Sequence, residues 1–257
     1  MAEIVAAVAG DARRGPLVDV AEAVATLMRA RVREVDVPSG PPEVTAQAVL
    51  QALAGADVLV GVVRATADPR AACWQIMREA AKPLVLLPPH LARGQQPIGR
   101  VLVPLDGSRE CAHAVEHTVD LCRRAGVDLV VLHVFGPRTT PPYWDQDAHA
   151  LKAWGEEFLS RHVTSPGVRL EVRVGAPEQN VVEVAEGLGA DLIALGWSQR
   201  LDNGRARTVR RSVVDARVPV MLVPVTAQDD ADDDADDDAA GPSGRSPLLP
   251  ADPTRVS

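Results

Sequence analysis

Short apolar runs rich in valine, leucine and isoleucine alternate along the chain with stretches whose apolar residues follow helical spacing. After residue 99, five runs predict strands, and the intervals between them predict four helices, at 109–125, about 147–163, after Pro177 and at about 205–216. The strand runs are RVLVPL (100–105), VDLVVLHV (127–134), VRLEVRV (168–174), ADLIALG (190–196) and VPVMLVPV (218–225). Continuous apolar strands separated by helices are typical of a parallel sheet covered on both faces.

The first hundred residues repeat this plan in a shorter form. The sequence GAD precedes an apolar run twice, at 55–57 and at 189–191, and these positions are 134 residues apart. Nearer the start of each copy, VAG at 8–10 matches LDG at 105–107, but these positions are only 97 residues apart. The first copy has therefore lost about 37 residues between Val37 and Gly55, where the second copy holds a proline-rich loop, one helix and one strand. The sequence predicts a trimmed unit in 1–98 and a full unit in 99–225.

The last strand of each copy offers a surface through which the copies can join. Strands 83–88 and 218–225 both end in proline, as edge strands do. We expect the two copies to pack through these strands about a pseudo-twofold axis, as an intramolecular pseudo-dimer. Whether the chain also forms a homodimer is left open.

Composition and charge narrow the class of protein. Hydrophobic residues make up 46% of the chain and charged residues 24%, as in packed globular proteins. Residues 226–257 hold nine Asp and two Arg, so they carry seven of the eight net negative charges. The rest is nearly neutral, which argues against a nucleic-acid binder. No apolar run is long enough for a membrane span and no CxxC is present, so we expect a cytoplasmic protein without a disulfide framework or a thiolate zinc site.

The acidity is concentrated in the C-terminal segment 226–257. Eight Asp lie between positions 229 and 238, and Pro, Gly and Ser follow them. Such a segment repels itself and buries little, so the sequence predicts a disordered tail. Two roles stay open: the tail screens the arginines at 200–211, or it is a solvated segment that docks nowhere.

The motifs together resemble the universal stress protein family. The resemblance rests on RVLVPLDGS, VDLVVLHV, EVRVGAPEQNVVEVAEGLGADLIALGWS and ARVPVMLVPV, which cover 100–225 well, while 3–89 match weakly. It implies an α/β fold of two tandem flavodoxin-like (adenine-nucleotide-hydrolase-like) doubly wound parallel sheets. It also implies a nucleotide site in many members.

In the members that bind nucleotide, an Asp after the first strand and backbone after the second hold adenosine, and a loop G-x2-G-x9-G-(S/T) wraps the phosphates. Asp106, Val134 and Gly196 match the adenosine positions and the first glycine, but Gln199 occupies the second glycine position and Ala206-Arg207 the final pair. A retained site would therefore use Asp106, Gly107, Ser108, Val134, Gly196 and Arg207. In the first copy Ala9 and Val62 replace Asp106 and Gly196, so we expect no nucleotide there.

Several features have competing interpretations. His113-Ala-Val-Glu-His117 matches an inverted zinc-protease motif, but the same positions predict the solvent face of a helix. Asp106-Gly107-Ser108 is either a turn that grips a ligand or a turn with a helix cap at Ser108. His133 is either a ligand contact or a core imidazole. The cysteines Cys111 and Cys122 lie on an apolar stripe, which favours buried thiols. The arginines at 200, 205, 207, 210 and 211 either grip phosphate or form an exposed helix face.

Three function classes follow. The first, which we favour, is a non-enzymatic regulatory protein of the stress-response type, with a degenerate nucleotide site and an unidentified protein partner. The second is an adenine-nucleotide-binding protein that holds ATP or AMP in its second copy, alternatively with very slow ATPase activity. The third, an enzyme on the same fold, has no nucleophile–base pair and no GxxxxGK(S/T) loop to support it. We expect no obligatory cofactor or metal, and no nucleic-acid or membrane partner.

Overall fold

A computed structural model describes residues 1–8, 14–91, 97–136, 148–163, 168–200 and 204–225 of the chain. The strands are β1 (Glu3–Val8), β2 (Arg31–Asp36), β3 (Val58–Arg64), β4 (Leu84–Leu87), β5 (Arg100–Pro104), β6 (Asp128–Phe135), β7 (Arg169–Val174), β8 (Leu192–Trp197) and β9 (Val220–Pro224). The helices are α1 (Arg14–Met28), α2 (Pro42–Leu53), α3 (Ala72–Glu79), α4 (Arg109–Arg124), α5 (Ala148–His162), α6 (Pro177–Leu188) and α7 (Gly204–Asp215). The predicted acidic tail lies outside the described residues, so its disorder stays a prediction.

The nine strands that the described residues form belong to one sheet, in the order β2-β1-β3-β4-β9-β8-β5-β6-β7. The first half of the chain contributes β2-β1-β3-β4 and the second half β9-β8-β5-β6-β7, and the pairings within each half are parallel. In each half the chain winds outward in both directions from its own first strand, which is the doubly wound, flavodoxin-like order. The predicted fold class is confirmed, with the two sheets joined edge to edge.

The two halves meet at an antiparallel pair of strands. Leu84 lies opposite Leu222, and Leu86 lies opposite Val220, in the ladder between β4 and β9. These are the two proline-ended strands for which the sequence predicts contact, and antiparallel pairing relates them by a local twofold axis. Residues Met1–Thr226 group into one compact unit. The division of that unit into domains at residue 98 stays a prediction.

The first half is the shorter one in its element count. Between β2 and β3 the described chain has only α2, whereas between β6 and β8 it has α5, β7 and α6. Helices α2 and α6 both begin at a proline, Pro42 and Pro177, which suits the first helical turn because proline lacks an N–H. The missing helix and strand fall in the interval in which the sequence predicts a loss.

Helices cover both faces of the sheet. One face packs against α2, α3, α6 and α7, with Trp74, Ile76, Val181 and Val213 in its core. The other face packs against α1 and α4, and α5 adds Phe158 to that core. Because aliphatic side chains from both halves share each core, the layers run continuously across the β4–β9 junction. No helix in the described parts of the chain is long and apolar enough to cross a bilayer.

Candidate functional site

A cavity of about 330 Å³ opens in the second half, at the carboxyl ends of β5, β6 and β8. The chain leaves β5 toward β6 on one side, while β8 pairs with β5 on the other side, so the cavity lies where the winding direction reverses. Open α/β sheets bind ligands at such a point because the diverging loops leave a crevice. The volume lies within the range of about 300–1,000 Å³ that is usual for small-molecule sites.

The three positions that match the adenosine contacts and the first glycine converge on this cavity. Asp106, Val134 and Gly196 all line it, after β5, within β6 and within β8. Most of the wall is apolar, from Leu105, Leu132 and Val209 among others. Among the described lining residues Asp106 is the only charged one. The cavity therefore combines an apolar wall with one carboxylate at its exposed rim.

The turn after β5 is built by local hydrogen bonds. Gly107 has φ of 93°, which favours glycine, and it lets the chain turn from the strand into α4. Asp106 Oδ1 accepts from Ser108 N at 3.0 Å and from Ser108 Oγ at 2.7 Å. Ser108 Oγ in turn accepts from Cys111 N at 3.3 Å and caps the helix. The predicted cap is confirmed, and a ligand-gripping role for the turn stays a prediction.

His133 lies under this turn and belongs to the core as well as to the cavity wall. Its side chain is buried, and Nδ1 donates to the Leu105 carbonyl at 3.0 Å. The imidazole packs against Phe135, Trp154 and Phe158, with ring centroids 4.8–5.2 Å apart. Burial lowers the pKa of His133, because the charged form loses water, although the Leu105 carbonyl acts in the opposite direction. Burial thus favours the neutral imidazole, and the hydrogen bond and ring contacts fix its position beside the cavity.

Gly196 is needed for packing as well as for ligand approach. A Cβ at this position would lie 3.0 Å from Cys111 Sγ and 3.3 Å from Cys111 Cα. Real Cβ atoms rarely come so close to backbone, so β8 contacts the first turn of α4 only because position 196 has no side chain. The glycine that matches the nucleotide motif therefore also has a purely structural reason.

The second glycine position keeps a glycine-like backbone although it carries a side chain. Gln199 has φ of 62°, a left-handed conformation that side-chain-bearing residues rarely adopt. Its side chain contacts the first half of the chain, where Nε2 donates to the Ala80 carbonyl at 2.6 Å. Trp197, which also lines the cavity, donates from Nε1 to the Met77 carbonyl at 2.9 Å. The last residue of β8 and a residue of the loop after it thus both bond to the end of α3 in the first half.

The described arginine side chains of helix α7 do not line the cavity. Arg207, Arg210 and Arg211 are exposed on α7, and Arg211 pairs with Asp215 at 2.5 Å. Among described side chains, α7 instead contributes Thr208 and Val209 to the wall. Ser198, just after β8, is a further polar lining residue. The sequence analysis did not single out Ser198 or Thr208 as site residues. Thr208 could have been found from its position on α7, which places it on the side of the helix that faces the strand ends.

The competing motifs have structural explanations. His113 and His117 are exposed on α4, and His113 Nδ1 lies 3.4 Å from the Glu116 carboxylate. Within the described residues no three His, Cys, Asp or Glu side chains are grouped to hold a metal. The three cysteines are buried thiols, and burial raises the pKa of Cys122 to about 12. The predictions of a solvent face and of buried thiols are confirmed.

Comparisons with known proteins agree with this architecture. Residues 97–224 match the model of the universal stress protein family. A universal stress protein of Methanocaldococcus jannaschii is 24% identical over 146 residues, which cover 52% of this chain and 86% of the relative.

Solved structures resemble both halves together. One from Pseudomonas aeruginosa UCBPP-PA14, assigned to the universal stress proteins, covers 93% of this chain and 98% of its own, with 15% identity and a TM-score of 0.57. A universal stress protein from Archaeoglobus fulgidus covers 88% of this chain and 97% of its own, with 13% identity and a TM-score of 0.55. The family match, the strand order and these likenesses agree, and the chain belongs to the universal stress protein family.

Proposed function

We propose that this protein is a regulatory ligand-binding protein without enzymatic activity, and that the cavity of its second half holds an adenine nucleoside or nucleotide. The observation that carries the proposal is the convergence of Asp106, Val134 and Gly196 on one cavity of about 330 Å³. Asp106 and Val134 match the positions that hold adenosine in the nucleotide-binding members of the family, and Gly196 matches the first glycine of their phosphate loop. Retention of that part of the site favours adenosine as the recognised group.

The chemistry of the wall suits a nucleoside. A planar base gains by burial against apolar side chains such as Leu132, Val134 and Val209. The carboxylate of Asp106 at the exposed rim is an acceptor suited to ribose hydroxyls. An apolar wall with one acceptor thus matches a nucleoside, in which a planar base stacks on side chains and the ribose hydroxyls supply donors.

The phosphate end of the site is altered. Gln199 occupies the second glycine position, and its side chain holds Ala80 instead of leaving bare backbone for phosphate. Arg207, at the last motif position, is exposed and does not line the cavity. We therefore infer that adenosine contributes most of the affinity and that added phosphates change it little.

The environment of the cavity favours binding over catalysis. His133 is the imidazole beside Asp106, but its Nδ1–H is committed to the Leu105 carbonyl and its ring is enclosed by aromatic side chains. Burial disfavours the protonated form that a general acid needs. These features support a binding role over a catalytic one, and we infer that the protein acts as a sensor or scaffold toward an unidentified protein partner.

Titration calorimetry with adenosine, AMP and ATP tests the proposal. Asp106→Asn keeps the acceptor that Ser108 uses and removes the charge; we expect binding to weaken about 10- to 100-fold, as for a lost charge-assisted hydrogen bond. Asp19→Ala, at an exposed acid on α1, is the control and should bind as wild type. Gln199→Gly should leave binding unchanged or strengthen it. Binding that is indifferent to Asp106→Asn would contradict the assignment of the site.

A second measurement addresses catalysis. Incubation with ATP followed by chromatography of ADP should give no more product with the wild-type protein than with Asp106→Asn. ADP formation that the substitution abolishes would show that the cavity hydrolyses ATP and would overturn the non-enzymatic part of the proposal.

A further inference from the structure

A second cavity, of about 200 Å³, lies in the first half of the chain. It opens beside Val8 at the end of β1, Val37 just after β2 and Arg64 at the end of β3, and the first turn of α3 adds Ala72 and Cys73. This is the same point of the winding as that of the cavity in the second half. The first half has thus kept a cavity although the residues that match a nucleotide site are absent from its sequence.

The two cavities differ in the sign of their charge. Asp106 is the only charged residue among those described as lining the second-half cavity, and Arg64 is the only charged residue among those described as lining the first-half cavity. Thr45 and Thr66 also line this cavity, but their hydroxyls donate to the carbonyl oxygens of Pro38 and Asp68. The first cavity therefore presents a cationic donor where the other cavity presents an anionic acceptor, so it suits a ligand that brings acceptors or negative charge.

Arg64 is placed to receive such a ligand. It is half-buried at the carboxyl end of β3, and its Nη1 donates to the Leu91 carbonyl at 3.4 Å. A guanidinium carries five N–H donors in a planar fork and can serve several acceptors at once. Its geometry matches that of a carboxylate, and partial burial strengthens the interaction because water screens it less.

Size and wall chemistry restrict the rest of the ligand. A volume of about 200 Å³ is below the range of about 300–1,000 Å³ for sites that enclose drug-sized molecules. The remaining wall is mainly aliphatic and includes Val37, Val63 and Ile76. We propose that the first half binds a short-chain aliphatic carboxylate, with its carboxylate on Arg64 and its alkyl chain against these side chains. This proposal does not depend on nucleotide binding in the second half.

Butyrate and butyramide are suitable probes, because they have nearly the same size and differ in charge. Thermal unfolding of the full-length protein and saturation-transfer NMR of the probe should both detect butyrate, since a ligand that binds the native state raises Tm. Butyramide should bind at least about tenfold more weakly, because its neutral amide lacks the charge-assisted pairing. Equal effects of the two probes, or none from butyrate, would overturn the proposal.

Variants then locate the site. Arg64→Gln should abolish the preference for butyrate, whereas Arg78→Gln, at an exposed arginine of the same half, should retain it. Ala72→Leu fills the cavity from α3 without changing the guanidinium, so it should block binding even where Arg64→Gln does not fold. Asp106→Asn should leave butyrate binding unchanged. Butyrate binding that survives Ala72→Leu, or that is lost in Asp106→Asn, would refute this location.

Discussion

The hydrogen bond between Trp197 and Met77 joins the two halves of the chain beside the cavity of the second half, and the cost of removing it can be worked out. The indole is 2% exposed, and Nε1 lies 2.9 Å from the Met77 carbonyl oxygen. Trp197→Phe keeps a ring in the core but leaves that oxygen without this donor. Because a buried acceptor that loses its partner also lacks water, we expect a loss of about 1–3 kcal/mol in the free energy of unfolding.

Trp74→Phe is the matched control. Trp74 is 5% exposed, and its Nε1 donates to the Thr66 carbonyl at 3.1 Å, within the first half. Both substitutions therefore remove one indole and one buried hydrogen bond, and both should destabilise the fold by similar amounts. Only Trp197→Phe removes a bond between the halves, and only Trp197 lines the second-half cavity. We expect adenosine binding to weaken in Trp197→Phe and to stay at the wild-type value in Trp74→Phe.

Urea unfolding followed by circular dichroism gives the free energies, and thermal scans should show about 2–4 °C of Tm per kcal/mol for a unit of this size. A double-mutant cycle with Gln199→Ala measures the coupling between the two bonds at the end of α3, because residues that share one helix end should be non-additive. Trp197→Phe that unfolds at the wild-type urea concentration would show that this bond contributes nothing to the union of the halves. That result would refute the reasoning.

Three further predictions follow from single features. Ser212 is fully buried on α7, and its Oγ has no hydrogen-bond partner within the described structure. Ser212→Ala should therefore raise the free energy of unfolding, measured by urea titration, by about 1 kcal/mol. A loss of stability would show that the hydroxyl has a hydrogen-bond partner after all. Burial lowers the pKa of both His133 and His162 from 6.5, so the unfolded state takes up protons before the folded state does. The free energy of unfolding should therefore fall as the pH drops below 6.5, by at most about 1.4 kcal/mol per pH unit for each group. An unfolding midpoint in urea that does not change between pH 7.5 and 5.5 would contradict this. A fragment of residues 1–98 should aggregate because it exposes the edge of β4, and a soluble fragment with a cooperative thermal transition would contradict this expectation.

Much of the fold was predictable because apolar runs, and the residues at which they end, can be identified in the sequence without knowledge of distant contacts. Valine-rich runs between helical stretches predict parallel strands, and the terminal prolines single out β4 and β9 as edges free to pair. Asp106, Val134 and Gly196 converge because their strands end at one edge of the sheet. The meeting of these three positions at one edge was therefore predictable, and their role in holding a ligand stays a prediction.

The contacts between halves were not predictable in this way. Gln199 looks in the sequence like a lost glycine, but its side chain holds Ala80, which is 119 residues away along the chain. Similarly, Thr208 and not Arg207 lines the cavity, and one residue of helical phase decides between them. The first-half cavity has no motif at all, because it results from the volume that the packed helices leave unfilled.

The antiparallel joining of β4 to β9 has a consequence for how the two halves evolve. In a dimer of identical subunits each substitution occurs twice, so a change that adapts one site to a new ligand also alters the other. Here both partners are encoded by one chain, and their association needs no encounter between molecules, so it does not weaken on dilution. Each half therefore experiences its own mutations, and one cavity can keep an acid at its rim while the other acquires a base. Fusion into one sheet therefore gives two cavities whose linings can change independently.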